Sequence, residues 1–174
     1  MKKFCSFTIL LIVVLMNTSF KSPIAGADDF YIVVEKHSYE MKLYDAYNTW
    51  LISYPVVFGS KDLGDKMIQG DRKTPEGTFH IINKRSHPKW DKFLALDYPT
   101  QEDYQKFYDR KSKGIIPANA QIGGEIGIHG TWPHEEFAVD QYQNWTMGCV
   151  STKNIYIEEI FSKIPAGTKV IIVK

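Results

Sequence analysis

The side chains best suited to chemistry in this sequence are a cysteine and a histidine that stand twenty positions apart, Cys149 and His129. A cysteine attacks a carbonyl carbon as its thiolate, and a histidine within hydrogen-bond reach can take the thiol proton. The pair therefore predicts covalent catalysis, with Cys149 as the nucleophile and His129 as the general base. An inert, buried cysteine is the alternative that the residue type alone leaves open.

The residues around Cys149 have the types that such a site needs. Ser151 and Thr152 are predicted to cap a helix just after the cysteine, and the partial positive charge at a helix start favours a thiolate. The backbone amides of Cys149 and Gly148 are expected to stabilise a developing oxyanion, and the glycine lets a substrate approach the chain closely. The residues predicted to bind substrate are Thr146, Met147, Gly148, Trp132 and Trp145. For the two tryptophans, stacking on a glycan, covering the thiol and filling the core all stay open.

The remaining titratable residues give weaker predictions. Asp140 is a candidate carboxylate partner for His129, although a position on a surface loop is favoured. His134 follows His129 by five residues, a spacing that would put two imidazoles on different faces of a helix, and no zinc-protease motif is present. We therefore predict neither a metal nor another cofactor.

The N-terminal residues 1–27 are predicted to be a secretory signal peptide. Lysines near the start precede ten mostly apolar residues, Phe7 to Met16, and residues 25–27 form a small-residue cleavage site. A retained membrane anchor is the alternative, and it is the only membrane contact that we predict. The protein is therefore expected in the periplasm or cell envelope, where an unpaired cysteine is either intermolecular or reactive.

The charge of the remaining residues, 28–174, excludes one class of partner. Loss of the signal peptide removes three of the 21 basic residues and none of the 20 acidic ones, which leaves a net charge of −2. The basic residues are also scattered along the chain, so no nucleic-acid partner is predicted. The length of this segment fits a single domain.

Hydrophobic patterning predicts a strand-rich first half. Residues 30–36, 39–45 and 50–58 are rich in β-branched and aromatic side chains, and short turns separate them, which indicates an antiparallel meander. A long loop rich in glycine and aspartate, residues 59–77, leads into a fourth strand at residues 78–85.

The second half mixes helices with strands. Tyr104, Phe107 and Tyr108 fall at helical spacing after a Pro-Thr pair, which predicts a helix whose aromatic residues pack. A glycine-spaced strand is predicted to end at His129, and a second helix to run from Ser151 toward Gly167.

A last strand, residues 168–174, closes the predicted domain. The resulting fold class is mostly β with short helices, an α+β arrangement in one domain.

The segment around the cysteine also resembles a known signature. His129-Gly130, followed by Thr146-x-Gly148-Cys149, is similar to the motif of the L,D-transpeptidase catalytic domain, the YkuD-like family. Residues 70–81, GDRKTPEGTFHI, and the Tyr98-Pro99 pair resemble the same family, and the likeness covers most of residues 30–174. It is strongest with small periplasmic members whose cysteine segment reads Trp-Thr-x-Gly-Cys.

This resemblance implies a β-sandwich-like domain that acts on peptidoglycan stem peptides, typically between diaminopimelate and the terminal D-alanine. Cys149 would form a thioester with the diaminopimelate carbonyl, and His129 would take the thiol proton and deliver it to the leaving amine. Gly130 matches the position whose backbone carbonyl orients the histidine. The acceptor would decide the product: a second stem peptide gives a cross-link, a lipoprotein lysine gives an anchor, and water gives hydrolysis.

Two positions depart from the pattern of the family. Met147 stands where many members carry a second histidine, and Ser151 stands where many carry an arginine that would hold a substrate carboxylate. The primary prediction is a cysteine-dependent peptidoglycan L,D-transpeptidase. A murein L,D-amidase or carboxypeptidase that hydrolyses stem-peptide or lipoprotein links is the near alternative, and a catalytically silent peptidoglycan-binding module is the alternative from another class.

Overall fold

The computed structural model describes residues 26–174, so the predicted signal peptide lies outside the described residues except for its last two positions. In this part of the chain there are eight strands and three α-helices. The strands are β1 Phe30–Glu35, β2 Glu40–Asp45, β3 Trp50–Pro55, β4 Gly77–His87, β5 Asp91–Leu96, β6 Gly127–His129, β7 Val150–Ser151 and β8 Lys169–Val173. The helices are α1 Gln101–Ser112, α2 Phe137–Asp140 and α3 Asn154–Lys163.

The predicted meander is confirmed. β1 pairs with β2 and β2 pairs with β3, both antiparallel. Met41 and Leu43 alternate along β2 with less buried neighbours, as expected for a strand with one face on the core. The predicted C-terminal strand is also confirmed, because β8 lies parallel to β1 and antiparallel to β4.

One curled sheet contains all eight strands, in the order β3-β2-β1-β8-β4-β5-β6-β7. β4 is the longest of them, and its first half pairs with β8 while its second half pairs with β5. A register shift between Ile81 and Asn83 separates these two halves, which is where a bulge bends a strand. The mostly β fold class predicted from the sequence is confirmed.

The two ends of the sheet meet beside the cysteine. Val57, just after β3, forms an antiparallel bridge with Ser151 of β7, and both of its main-chain hydrogen bonds are 2.8–2.9 Å long. Because β3 and β7 are the outermost strands of the sheet, this bridge joins one edge to the other and leaves the segment that follows Cys149 paired on both sides.

The sequence did not predict β5, although this strand is central to the second half of the sheet. β5 pairs with both β4 and β6, and Leu94 is fully buried. The segment DKFLAL has no β-branched residue and only one aromatic residue, Phe93, so its propensity does not reveal it.

Helix α1 begins where the sequence predicted. The N-cap Thr100 and Asp103 form a capping box, in which the Thr100 hydroxyl accepts the Asp103 N–H and the Asp103 carboxylate accepts the Thr100 N–H. Of the three aromatic residues expected to pack, only Phe107 is buried, and Tyr104 and Tyr108 are exposed at 43% and 60%. The prediction was therefore wrong for the two tyrosines.

Helix α3 starts later than predicted. Its N-cap is Lys153, and Ser151 and Thr152 are used by the sheet instead. The Thr152 hydroxyl donates to the Pro55 carbonyl at 2.8 Å, so it is not free to cap a helix. The helix ends at Lys163, before Gly167, which forms the left-handed turn that leads to β8.

The core lies between the sheet and α3. Buried aliphatic residues from β1, β4, β5, β6 and β8 form one cluster with Ile157, Ile160 and Ile164 of the helical segment. Ile155, on the other side of the same helix, is 65% exposed. Packing against this cluster fixes β6 and the segment after Cys149 on a rigid base.

Candidate active site

The strand pair β6–β7 brings Cys149 and His129 to the same groove. These two strands are parallel, and His129 pairs with Ser151, two residues beyond Cys149. Side chains two residues apart in a strand lie on the same face. Cys149 and Ser151 on one chain segment therefore share a face with Gly127 and His129 on the other. Cys149 and His129 both line the groove that opens on this face.

Hydrogen bonds fix the tautomer of His129. Its Nδ1 lies 2.7 Å from the carbonyl oxygen of Gly130, and a carbonyl only accepts, so Nδ1 carries the proton. The Ser151 hydroxyl donates to the same carbonyl at 3.2 Å. In the neutral imidazole, Nε2 is consequently the atom that can accept a proton. The orienting carbonyl that the sequence predicted at Gly130 is present in the structure.

Gly130 has no room for a side chain. A Cβ atom at this position would meet the side-chain oxygen of Asn154 and lie 2.8 Å from the carbonyl oxygen of Trp90. That Trp90 oxygen accepts the Gly130 N–H, and the Asn154 oxygen accepts the N–H of Thr131. The first two residues after His129, Gly130 and Thr131, are thus each held by a hydrogen bond of their main-chain N–H.

Aromatic rings enclose the imidazole. Trp90 stacks on His129 with ring centroids 4.5 Å apart, Phe93 stacks at 5.9 Å, and Trp145 meets the ring edge-on at 5.5 Å. His129 is only 1% exposed. This burial lowers the pKa of His129 from its ordinary 6.5 to about 4, against a smaller opposing effect of the bond to Gly130. The imidazole is therefore neutral at pH 7.

The thiol is also neutral in the resting site, contrary to the sequence-based expectation of a thiolate. Burial raises the pKa of Cys149 from 9.0 to about 11, and a nearby backbone N–H of Gly127 only partly opposes this effect. The thiol hydrogen points to the carbonyl of Glu125, at a sulfur–oxygen distance of 3.5 Å. The predicted help from a helix start is absent, because α3 begins five residues after Cys149 and the N–H of Asn154 donates to Glu136.

The loop that carries the cysteine is held by its own residues. The Thr146 hydroxyl donates to the Cys149 carbonyl at 2.8 Å and accepts the Gly148 N–H at 3.2 Å. The Gly148 amide is thus already used, which corrects the expectation that it stabilises an oxyanion. Gly148 has a φ of +125°, and a Cβ there would lie 2.8 Å from the carbonyl of Lys73. The glycine makes room for a neighbouring loop and not for a substrate.

That neighbouring loop, residues 59–76, is itself tied down by buried charges. Lys66 pairs with Asp71 at 2.7 Å, and the Asp71 carboxylate also accepts the N–H groups of Met67, Ile68 and Lys73. Arg72 then donates its Nε–H to the carbonyl of Thr146 at 3.2 Å. The GDRKTPEG segment therefore supports the cysteine loop through the contacts of Arg72 with Thr146 and of Lys73 with Gly148.

The predicted substrate-binding residues divide into two groups. Trp132, Trp145, Thr146 and Met147 line the groove, and Met147 is 67% exposed. Gly148 is buried and does not line it, and Thr146 also builds the loop through its hydroxyl. The groove encloses about 900 Å³, and a second hollow of about 660 Å³ shares its wall of Trp132 and Trp145.

Other candidates from the sequence are not part of the site. Asp140 forms an ion pair with Lys153 at 2.6 Å and is not the partner of His129, as the favoured surface interpretation expected. Within residues 26–174, no three His, Cys, Asp or Glu side chains come together in an arrangement suited to a metal ion.

Sequence reasoning missed several residues of the groove, namely Arg85, Trp90, Phe93 and Glu125. Three of them belong to the hairpin of β4 and β5, and this hairpin escaped notice because β5 was not predicted. Arg85 and His87 are two residues apart and continue the two-residue period of the strand predicted at residues 78–85. This period could have shown that the strand extends to His87.

A comparison with protein families identifies this arrangement. The model of the L,D-transpeptidase catalytic domain, YkuD, matches residues 29–172. The chain belongs to the L,D-transpeptidase catalytic domain family. A comparison with curated proteins gives no match.

Solved structures share the fold of this L,D-transpeptidase domain. Bd1075 of Bdellovibrio bacteriovorus superposes with a TM-score of 0.60 at 20% identity, over 83% of this chain and 48% of that one. The helical cell shape determining protein Pgp2 of Campylobacter jejuni gives 0.60 at 21% identity, over 83% and 47%. An L,D-transpeptidase variant of Enterococcus faecium gives 0.55 at 17% identity, over 83% and 50%. These structures confirm the predicted YkuD fold.

The chain spans about half the length of these three structures. None of the helices between residues 26 and 174 has the length and hydropathy of a membrane-spanning segment.

Proposed function

We propose that the protein is a cysteine-dependent peptidoglycan L,D-transpeptidase in which Cys149 is the nucleophile and His129 the general base. The observation that carries this proposal is the Gly130 carbonyl, which bonds to Nδ1 and leaves Nε2 as the basic atom in the groove shared with the thiol. A binding module would not need this tautomer or an accessible sulfur. Membership of the L,D-transpeptidase family supplies the substrate class, the peptidoglycan stem peptide.

The proposed reaction has two steps. In the first, Nε2 of His129 takes the thiol proton as sulfur attacks the diaminopimelate carbonyl, the bond to D-alanine breaks, and the imidazolium protonates the leaving amine. In the second, the acceptor loses a proton to His129 and attacks the thioester, and the thiol is restored. The Cys149 amide is the expected oxyanion donor, because Thr146 occupies that of Gly148.

The protonation states of Cys149 and His129 before substrate binds determine at which step the proton moves. With a pKa of about 11 for Cys149 and about 4 for His129, both groups are neutral at pH 7. We infer that proton transfer from the thiol to the imidazole accompanies attack on the bound carbonyl.

The test is incubation of the purified domain with muropeptides that carry tetrapeptide stems. We expect the wild type to release D-alanine and Cys149→Ala to release none. Mass analysis of the products identifies the acceptor: dimers indicate cross-linking, tripeptides indicate hydrolysis, and release from a lipoprotein-linked wall indicates the amidase alternative. Unchanged muropeptides and unchanged lipoprotein-linked wall would contradict the enzymatic proposal and favour the binding module.

A further inference from the structure

Two oppositely charged side chains, Arg85 and Glu125, line the groove. We propose that Arg85 and Glu125 determine substrate specificity by selecting an amino-acid group with both charges, Arg85 binding its carboxylate and Glu125 its ammonium. This inference rests on the proposed function and specifies which part of a stem peptide the groove recognises.

Arg85 is positioned for a carboxylate next to the reaction centre. It is exposed on β4, and its guanidinium carbon lies 4.8 Å from the centre of the Phe93 ring. Phe93 in turn stacks on His129, so a single aromatic ring separates the guanidinium from the catalytic imidazole. A guanidinium stacked in this way keeps its planar N–H fork free for a bidentate carboxylate.

The surroundings of Arg85 are positive. Lys89 lies over the ring of the groove residue Trp132 at 5.2 Å. Burial lowers the pKa of His87, and the charges of Arg85 and Lys89, which both lie near this imidazole, lower it further. The positive charge of Arg85 and Lys89 attracts an anionic group of a substrate to the part of the groove around His87.

Glu125 adds the opposite charge to the lining of the groove. Its main-chain carbonyl accepts the thiol hydrogen of Cys149, and its side chain is exposed. Burial is the main cause of the raised pKa of Cys149, and the negative charge of Glu125 adds to it. Glu125 also has a φ of +56°, a conformation that is unfavourable for a residue with a side chain. Because Glu125 lines the groove with its carboxylate exposed, this carboxylate is available to bind an ammonium.

Neither charge is neutralised by the protein. Within residues 26–174, Arg85 and Glu125 form no ion pair, whereas the charged residues of the supporting loop are paired, Lys66 with Asp71 and Lys73 with Asp62. Two unpaired, opposite charges in the groove that holds the nucleophile match a substrate group with the complementary pattern of charges. The side-chain end of diaminopimelate, with one free carboxylate and one free ammonium, has that pattern.

The experiment uses three synthetic tetrapeptides that end in D-alanine and differ only at the diaminopimelate side chain. One is unmodified, one has its side-chain carboxylate converted to the amide, and one has its side-chain amine acetylated. D-alanine release is measured for the wild type, Arg85→Gln and Glu125→Gln. Lys113→Gln and Glu158→Gln, at exposed positions outside the groove, serve as matched charge controls.

Each modification should lower kcat/KM of the wild type and of both controls about tenfold or more, the effect of one charged hydrogen bond. Arg85→Gln should no longer distinguish the amide from the free carboxylate, and Glu125→Gln should no longer distinguish the acetylated from the free amine. Equal kcat/KM of the wild type for all three peptides, or full discrimination retained by both variants, would overturn the inference.

The same comparison can be made without turnover. Calorimetric binding of the three peptides to Cys149→Ala, alone and combined with each glutamine variant, should show the same pattern. Discrimination in binding without any D-alanine release by the wild-type cysteine would support the charge selection and contradict the proposed chemistry. Equal binding of all three peptides would contradict the selection.

Discussion

At the scale of single residues, the orientation of one imidazole decides what the site can do. The Gly130 carbonyl holds Nδ1–H, and the Ser151 hydroxyl bonds to the same oxygen and so keeps that oxygen in place. Ser151 contacts no substrate in this arrangement and acts through Gly130 on His129. Residues that orient a catalytic group in this way affect turnover more than binding.

Ser151→Ala should therefore lower kcat about fivefold with little change in KM, because the variant loses one neutral hydrogen bond of about 1 kcal/mol. D-alanine release from tetrapeptide muropeptides gives both constants. Ser162→Ala is the control, since the exposed Ser162 hydroxyl donates to the Glu159 carbonyl within α3 and does not line the groove. Equal kcat for the two variants, or a change confined to KM, would contradict the role of Ser151.

The sequence pointed to Cys149 and His129 as candidate catalytic residues because their chemistry depends on residue type, and the family resemblance added the orienting role of Gly130. It did not reveal that Gly148 faces Lys73, because a close approach between distant loops leaves no local signal. The direction of the Cys149 pKa also could not be predicted. It depends on burial by residues from several strands, and no spacing in the sequence records that burial.

At the scale of elements, the cysteine loop is built from distant partners. Asn144 accepts the Phe58 N–H at 2.8 Å and donates to the Ser60 carbonyl at 2.7 Å and to the Tyr39 hydroxyl at 2.9 Å. One side chain thus joins the cysteine loop to the turn before β2 and to the segment after β3. We expect the position of Cys149 to depend on this amide.

Asn144→Ala should lower the free energy of unfolding by about 2–3 kcal/mol, because it leaves partly buried main-chain groups of Phe58 and Ser60 without a partner. Urea denaturation measures this loss, and D-alanine release should fall in parallel. Gln143→Ala changes the neighbouring exposed amide and should stay within about 0.5 kcal/mol of the wild type. Similar stability of the two variants would show that the cysteine loop is held by other contacts.

Strands with β-branched or aromatic runs were predictable, and so was β6, which ends at His129 as expected. The neighbouring strands β5 and β7, which also position the site, were not predicted. β7 has only two residues, and its pairing with β6 and Val57 draws Ser151 into the sheet. Tertiary pairing overrides the preference of serine and threonine for helix caps, which explains the late start of α3.

At the scale of the whole molecule, burial of an imidazole among rings from distant parts of the chain carries a cost at low pH. Trp90, Phe93 and Trp145 enclose His129, which is 1% exposed and neutral. Unfolding returns the imidazole to water, where its ordinary pKa of 6.5 applies, whereas the folded protein holds it at about 4. The free energy of unfolding must then depend on pH between these two values.

The sign follows from which state binds the proton first. As the pH falls below 6.5, the unfolded chain protonates His129 while the folded protein does not, so stability is lost progressively until the pH reaches about 4. At pH 5 the loss amounts to about 2 kcal/mol relative to pH 7.5. Carboxylates contribute at lower pH: burial alone would raise the pKa of Asp71, but its pairing with Lys66 and backbone amides keeps it below 3.8.

Urea denaturation at pH 7.5 and at pH 5.0 isolates this contribution in His129→Gln, which cannot titrate. We expect the wild type to lose about 2 kcal/mol more than His129→Gln between the two pH values, whatever the stability of the variant at pH 7.5. His87→Gln is the control, because burial also lowers the pKa of His87 and any loss from that residue must be subtracted. An equal loss in wild type and His129→Gln would mean that water reaches the imidazole in the folded protein. That result would contradict the lowered pKa of His129.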